Sequence, residues 1–156
     1  MIITYPNEIL RKKSSTISPS RATSKEIKSL IKKMRGEVAK ADGVGLAAVQ
    51  IGVPERIILV SVDGVFEAFI NPMIVKKSWK RMVIEEGCLS LPGKMGFVKR
   101  HKGLTMRALD ENGKKIIFKA TGLTSAIFQH EIDHLNGILF IDRAIKKTIK
   151  SAPQSN

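Results

Sequence analysis

The stretch QHEIDHLNG, Gln129 to Gly137, holds two of the chain's three histidines, His130 and His134, with Glu131 directly after the first. Four residues apart on a helix, two imidazoles reach one point in space. His-Glu-x-x-His therefore offers two neutral nitrogens to a metal and a carboxylate beside its open position. The plainer reading is a pair of core histidines that hydrogen-bond to each other, since five-residue patterns recur by chance. The apolar setting argues for the metal, because an unpaired buried carboxylate is costly and a cation offsets that cost.

A catalytic metal with two histidines needs a third protein ligand and a position left open for water. His101 stands in KRHKG, which reads as an exposed turn. Cys88, the one cysteine, lies in EEGCLSLPG after a strand-like run and before a Pro-Gly turn, in a place to face the final helix. It reads as a buried inert thiol, a nucleophile or a metal ligand, with no internal disulfide open to it. A third stretch, GVGLAAVQ from Gly43 to Gln50, has glycines two apart that permit close backbone approach to a ligand. It is no phosphate loop, and a helix stop followed by small packing residues is the commoner case. A glutamine beside a metal would, however, make a good oxyanion donor.

The elements that must position these groups read as an α+β arrangement: antiparallel sheets packed around a central C-terminal helix, with an amphipathic helix near the N-terminus. Ser24 to Ala41 places Ile27, Leu30, Ile31, Met34 and Val38 at helical spacing, with Ser24 as N-cap and Asp42-Gly43 as the stop. Strands are expected at RIILVSV and FEAFINP, joined by Asp63-Gly64, with Pro72 ending the second. Further strands are MIVKKSW, RMVIEEG, LTMRALD and KIIFKAT, the last two joined by Glu111-Asn112-Gly113. The final helix is expected from about Leu123 to Leu135, started by Thr121 or Gly122 and ended by Gly137. Leu123, Ile127, His130 and His134 share one stripe of it; Ser125, Gln129 and Asp133 make its polar side.

A chain of 156 residues fits one domain, residues 1–156, with about 145–156 reading as a frayed tail. Its 43% hydrophobic and 26% charged residues exclude a disordered chain. No stretch reaches the ~18 apolar residues of a membrane span, and the start lacks the pattern of a signal peptide, so a cytoplasmic location is the default expectation. Lys plus Arg number 27 against 14 Asp plus Glu, a net charge of +13. That excess suggests a polyanionic neighbour such as nucleic acid or the ribosome surface, though lysines this scattered fit a solvated surface at least equally well.

GVGLAAVQ, EEGCLSLPG and QHEIDHLNG together resemble the three signature motifs of the peptide deformylase family, in its order and at its spacing. The likeness runs from YPNEILRK to GILFIDR at Arg143. It implies a metallohydrolase that removes the N-formyl group from the initiator methionine of nascent polypeptides and releases formate. It implies one divalent metal ion, natively Fe2+, with Zn2+ or Ni2+ as substitutes. By the same resemblance Cys88, His130 and His134 are the ligands, and Glu131 is the general acid and base. Gln50 and the backbone N–H of Leu89 hold the formyl oxygen, Gly45 pairs its backbone with the substrate, and Val44, Ile84, Glu86, Leu123 and Ile127 line the methionine pocket. Partners are N-formylmethionyl peptides, with transient ribosome contact through the basic surface, no membrane and no sequence-specific nucleic acid. The sequence departs from many relatives where an arginine helps hold the peptide: this chain has Lys94 and Met95. It also stops without the longer C-terminal helix by which some bacterial members dock on the ribosome. Two rivals remain. A zincin-type peptidase would take a third His or Glu in place of Cys88, and a non-catalytic RNA- or ribosome-binding module with structural zinc would want four protein ligands.

Overall fold

Ile27, Ile31, Met34 and Val38 recur at steps of three and four, and all are buried along one face of helix α2, Lys25–Lys40, in the computed structural model, which describes residues 1–151. Each such side chain contributes about 1.5–3 kcal/mol when withdrawn from water. Ser24 caps the helix by accepting from the Ile27 N–H at 3.3 Å. Past Lys40 the chain turns through a left-handed Asp42, and Gly43 N–H closes on the Val38 carbonyl. A short helix α1, Pro19–Ala22, precedes it.

Among the described residues the strands form two antiparallel sheets. The first has the order β1 (Gly45–Ala47), β2 (Ile57–Val62), β3 (Val65–Lys77), β6 (Gly103–Leu109), β7 (Lys115–Thr121). The second has β4 (Arg81–Cys88), β5 (Leu91–His101) and β8 (Lys150–Ser151). Helix α3, Gly122–Leu135, packs against β1, β2 and β7 of the first sheet and β5 of the second, and α4, Phe140–Arg143, follows it. Phe128 of α3 meets Phe69 and Phe118 edge-on or tilted, with ring centroids 4.8 and 5.2 Å away. This cluster anchors the helix to the first sheet.

Three expectations are corrected. Pro72 does not end a strand: FEAFINP and MIVKKSW are one strand, β3. Asn71 adopts a left-handed conformation (φ 52°), and the pairing with β6 shifts register between Ile70 and Met73. The proline, which has no N–H to give, thus sits at a bulge where none is needed. The side chain of Asn71 fixes the bulge by bonding both ways to the Ile17 backbone, 2.9 and 2.7 Å. Second, LPGKMGFVKRH is not a turn and an exposed segment but the long strand β5, paired along its length with β4. Third, the frayed tail expected from about residue 145 is in part seated: Ile145 N–H bonds to Phe97 O, and Lys150–Ser151 pair with Met95 and Lys94. Residues 152–156 of that expectation lie outside the described residues.

Candidate metal and catalytic centre

Strand β4 ends at Cys88, where the register with β5 shifts, so the thiol leaves the ladder and turns toward α3. Cys88 Sγ lies 3.2 Å from His134 Nε2, which lies 3.2 Å from His130 Nε2. All three donor atoms fall within 4.8 Å of one another. Metal bonds of about 2.0–2.3 Å at tetrahedral angles would set ligand atoms roughly 3.3–3.6 Å apart, and the two 3.2 Å separations come near that spacing. The helix places both imidazoles, as their spacing of four requires. His130 Nδ1 is 2.9 Å from Glu86 Oε2, which fixes the ring and turns Nε2 toward the trio.

Electrostatics suit a cation. Burial works against a charge on either ring. For His130, hydrogen bonds to Cys88 and Glu86 outweigh burial and hold its pKa well above 6.5. Burial and the neighbouring positive charges of His130 and Arg100 hold His134 well below it. The same Cys88 and Glu86 that favour a proton on His130 would favour a metal ion in that proton's place. A divalent metal fits these residues on that ground, on the thiolate and imidazole chemistry of the set, and on the buried Glu131 Oε2, which has no hydrogen-bond partner among the described residues. A metal held by these three donors would keep a position open for water.

Glu131 is buried, and burial pushes its carboxyl up to about 7. Gly45 on β1 lies directly against it: a Cβ built there would stand 2.5 Å from Glu131 Oε1. A hydrogen at this position is what lets the carboxylate reach the cleft. Gln50 is the third residue of the 3-10 turn Ala48–Ile51 that follows β1. Its Oε1 accepts from Ala47 N–H at 2.8 Å, so the amide nitrogen is turned to Ser90 Oγ at 3.1 Å and Cys88 Sγ at 3.7 Å. A backbone donor thus sets which end of this side chain faces the metal donors.

A cleft of about 460 Å³ opens over these groups, lined by Val44, Gly45, Gln50, Ile84, Glu86, Cys88, Leu89, Leu123, Ile127, His130 and Glu131. Every residue singled out for chemistry or binding in the sequence lines it except His134, which lies beneath, buried behind His130. Val44 and Leu123 are exposed (55% and 65%), so they form the cleft's lips. Glu86 does more than line the wall, since its second contact is a buried arginine. Lys94 and Met95 stand at the rim, at the end of β5 nearest Cys88. His101 is remote, its Nδ1 2.8 Å from Ser78 O at the far end of β5.

Two participants escaped the sequence reading. Arg100 is buried and bridges Glu86 (2.7 and 2.9 Å) to Asp133 (2.6 Å), which in turn holds Arg143. Despite burial, Arg100 and His130 pull the Glu86 carboxyl down to about 2. The signal was the alternation Gly96, Val98, Arg100, all buried on one face of β5, in a segment not read as a strand. Ser90, fully buried, holds the Gln50 amide and donates its N–H to Cys88 Sγ at 3.4 Å. The side of α3 expected to be polar is also not solvated: Ser125 donates to His101 O, while Gln129 accepts from His101 N–H and donates to its carbonyl.

Comparison with known proteins agrees with this geometry. A family profile described as polypeptide deformylase matches residues 1–150. A peptide deformylase of Syntrophomonas wolfei is 44% identical over 149 residues, covering 96% of this chain and 95% of the relative. The structure of a Plasmodium falciparum peptide deformylase in complex with an inhibitor superposes with a TM-score of 0.86 at 38% identity, covering 94% of this chain and 90% of that one. A Met-Ala-Ser-bound class I type b peptide deformylase from Acinetobacter baumannii gives 0.88 at 29% identity, covering 92% and 96%.

Proposed function

The chain belongs to the polypeptide deformylase family, and we propose that it hydrolyses the N-formyl group of formyl-methionyl polypeptides with Glu131 as the proton carrier. The observation that carries the roles is the convergence of Cys88, His130 and His134 beneath a cleft that also receives Glu131 and Gln50. A divalent cation held by those three donors supplies Lewis acidity and makes water acidic enough to lose a proton near neutral pH.

The residues of the chain do the rest. Glu131, its carboxyl raised by burial, takes the proton of the attacking water and returns it to the departing amine, leaving formate and a free N-terminus. The Gln50 amide, oriented by Ala47, and the Leu89 N–H face the oxygen that gains charge as the formyl carbon becomes tetrahedral; one such donor is worth about 3 kcal/mol of barrier. Gly45 pairs its backbone with the peptide. Val44, Ile84, Leu123 and Ile127 take the methionine side chain, and the Glu86 stem forms the wall beside His130. Lys94 and Met95 stand at the cleft's rim where many relatives have an arginine that helps hold the peptide.

The metal is natively Fe2+, with Zn2+ or Ni2+ able to stand in its place. Residues 1–156 act as one catalytic unit, α3 being the scaffold that carries His-Glu-x-x-His, and work in the cytoplasm with transient ribosome contact. No helix of the described residues is long and apolar enough to cross a membrane.

Glu131→Ala tests the assignment. Formate release from formyl-Met-Ala-Ser should fall on the order of 10³-fold while the metal content stays at one ion per chain. Hydrolysis that survives the change means that another group moves the proton.

A further inference from the structure

The net charge of +13 is unevenly distributed. Residues 68–84 and 87–109 contain no aspartate or glutamate, yet carry nine lysines and arginines. These segments meet at one corner, where β3 crosses to β4 and β5 crosses to β6. The two crossings are bonded to each other: Ser78 N–H to Gly103 O at 2.8 Å, Lys102 N–H to Lys80 O at 2.9 Å, and Gly103 N–H to Ser78 Oγ at 2.9 Å. On this braced corner stands Trp79, the only tryptophan, 99% exposed. Lysines 76, 77, 80 and 102 and Arg81 surround it in the two segments. A lone exposed apolar residue is ordinary; what sets Trp79 apart is that cations flank it on both crossings and that hydrogen bonds between those crossings hold its turn.

A recess of about 390 Å³ adjoins the corner, lined by Arg56, Lys77, Arg81, Lys99, Arg100 and Arg143 with Asp133 as its one acid. Arg100 and Arg143 are spoken for by Glu86 and Asp133. The other four form no ion pair among the described residues. Arg56 is half-buried and hydrogen-bonds only to neutral groups, the Leu135 and Pro72 carbonyls and Asn136 Oδ1. Burial with no counter-charge lowers its pKa, the mark of a cation short of an anion.

We propose that this corner and recess bind single-stranded or loop RNA, Trp79 stacking on an unpaired base while Arg56, Lys77, Arg81 and Lys99 take the neighbouring phosphates. Stacking on an exposed aromatic flanked by phosphate-binding cations is the usual means of sequence-tolerant RNA recognition. A bilayer is the poorer fit: Trp79 is flanked in the chain by Ser78 and Lys80, and the cations sink into a recess instead of spreading over a plane. The recess lies across α3 from the cleft. Gln129, Ile132, Asp133 and Asn136 line the recess, whereas Ala126, Ile127, His130 and Glu131 line the cleft, so phosphates held in the recess stay out of the cleft.

Because Trp79 is the sole tryptophan, its emission reports its own contact. Titrating the metal-loaded protein with a short mixed-sequence single-stranded RNA should quench that emission and raise the anisotropy of a labelled strand. Trp79→Ala should weaken binding about tenfold, and Trp79→Phe should restore most of it. Replacing Lys77, Arg81 and Lys99 together by alanine should reduce the slope of log affinity against log salt by about 2. Replacing Lys25, Lys28 and Lys32, which lie exposed on α2, should leave binding unchanged. All these variants should release formate at the wild-type rate. The proposal is overturned by unquenched emission, by full affinity in Trp79→Ala, or by an equal loss from the α2 triple variant. It is overturned too if phosphatidylserine/phosphatidylcholine vesicles shift the emission while RNA does not, which would assign the corner to a membrane.

Discussion

Two sides of one helix behave differently. On the cleft side of α3, Glu131 Oε2 and His134 Nδ1 are buried without hydrogen-bond partners among the described residues. On the opposite side, Gln129 makes four hydrogen bonds and Asp133 binds two arginines. Both sides are buried polar surface, so the hydrophobic effect alone does not distinguish them. What differs is satisfaction: the back of the helix is saturated and holds it in place, and the front keeps unspent polar capacity for ligands and protons. Glu86 joins the sides, touching His130 with one oxygen and Arg100 with both.

The comparison breaks most severely at Arg100. Arg100→Met strands Glu86 and half of the Asp133 pairing, and should cost about 3–5 kcal/mol of unfolding free energy in a denaturant melt. An unchanged midpoint would mean that the back side is not what holds α3. Next is Gly45→Ala, whose methyl group must displace the Glu131 carboxylate. The formate assay should show kcat reduced roughly a hundredfold, since small displacements of a reacting group are that costly, with the melting curve little altered. If instead KM alone rises, Gly45 serves the peptide and not Glu131.

The pH profile gives a third test. A base works deprotonated, and burial raises the carboxyl of Glu131 from 4.5 to about 7, while a bound cation pulls it back. The rate should therefore climb with pH along an acid limb whose midpoint lies between those values, losing about tenfold per unit below it. A rate that stays flat from pH 7 down to pH 4 in metal-replete protein would remove Glu131 from that role. The smallest effect is expected at Gln129→Ala. Losing its bonds to His101 should lower stability by about 1–3 kcal/mol, because buried groups are left unpaired, and should leave kcat within a few fold.

Much of this was open to a reader of the sequence, for a physical reason. His130 and His134 are local in chain and in space, so helical periodicity brings them together, and the Asp63-Gly64 turn is likewise written in adjacent residues. The helix starting at Gly122 and the hairpin of β6 and β7 follow from the same local patterns. What was missed is non-local. Arg100 looks like a surface cation until Glu86 and Asp133, 14 and 33 residues away, are folded against it. Pro72 reads as a stop because no local rule shows that Asn71 is held in a bulge by Ile17. Leu123 shares a helical stripe with His134 but lies in the first turn of α3, where it stands exposed at the lip of the cleft.

The end of α3 has a further consequence, for the order of assembly. Gly137 turns left-handed beside Arg11, where a Cβ would collide with the Arg11 carbonyl, and Ser14 N–H closes on the Leu135 carbonyl. The first fourteen residues therefore seal the helix that carries both histidines, with Arg11 and Gly137 meeting across a separation of 126 residues. Closing a loop that long costs about 4 kcal/mol of chain entropy before any contact rewards it. In a chain made from its N-terminus, the convergence of Cys88, His130 and His134 must wait for residue 134, and that seal for residue 137.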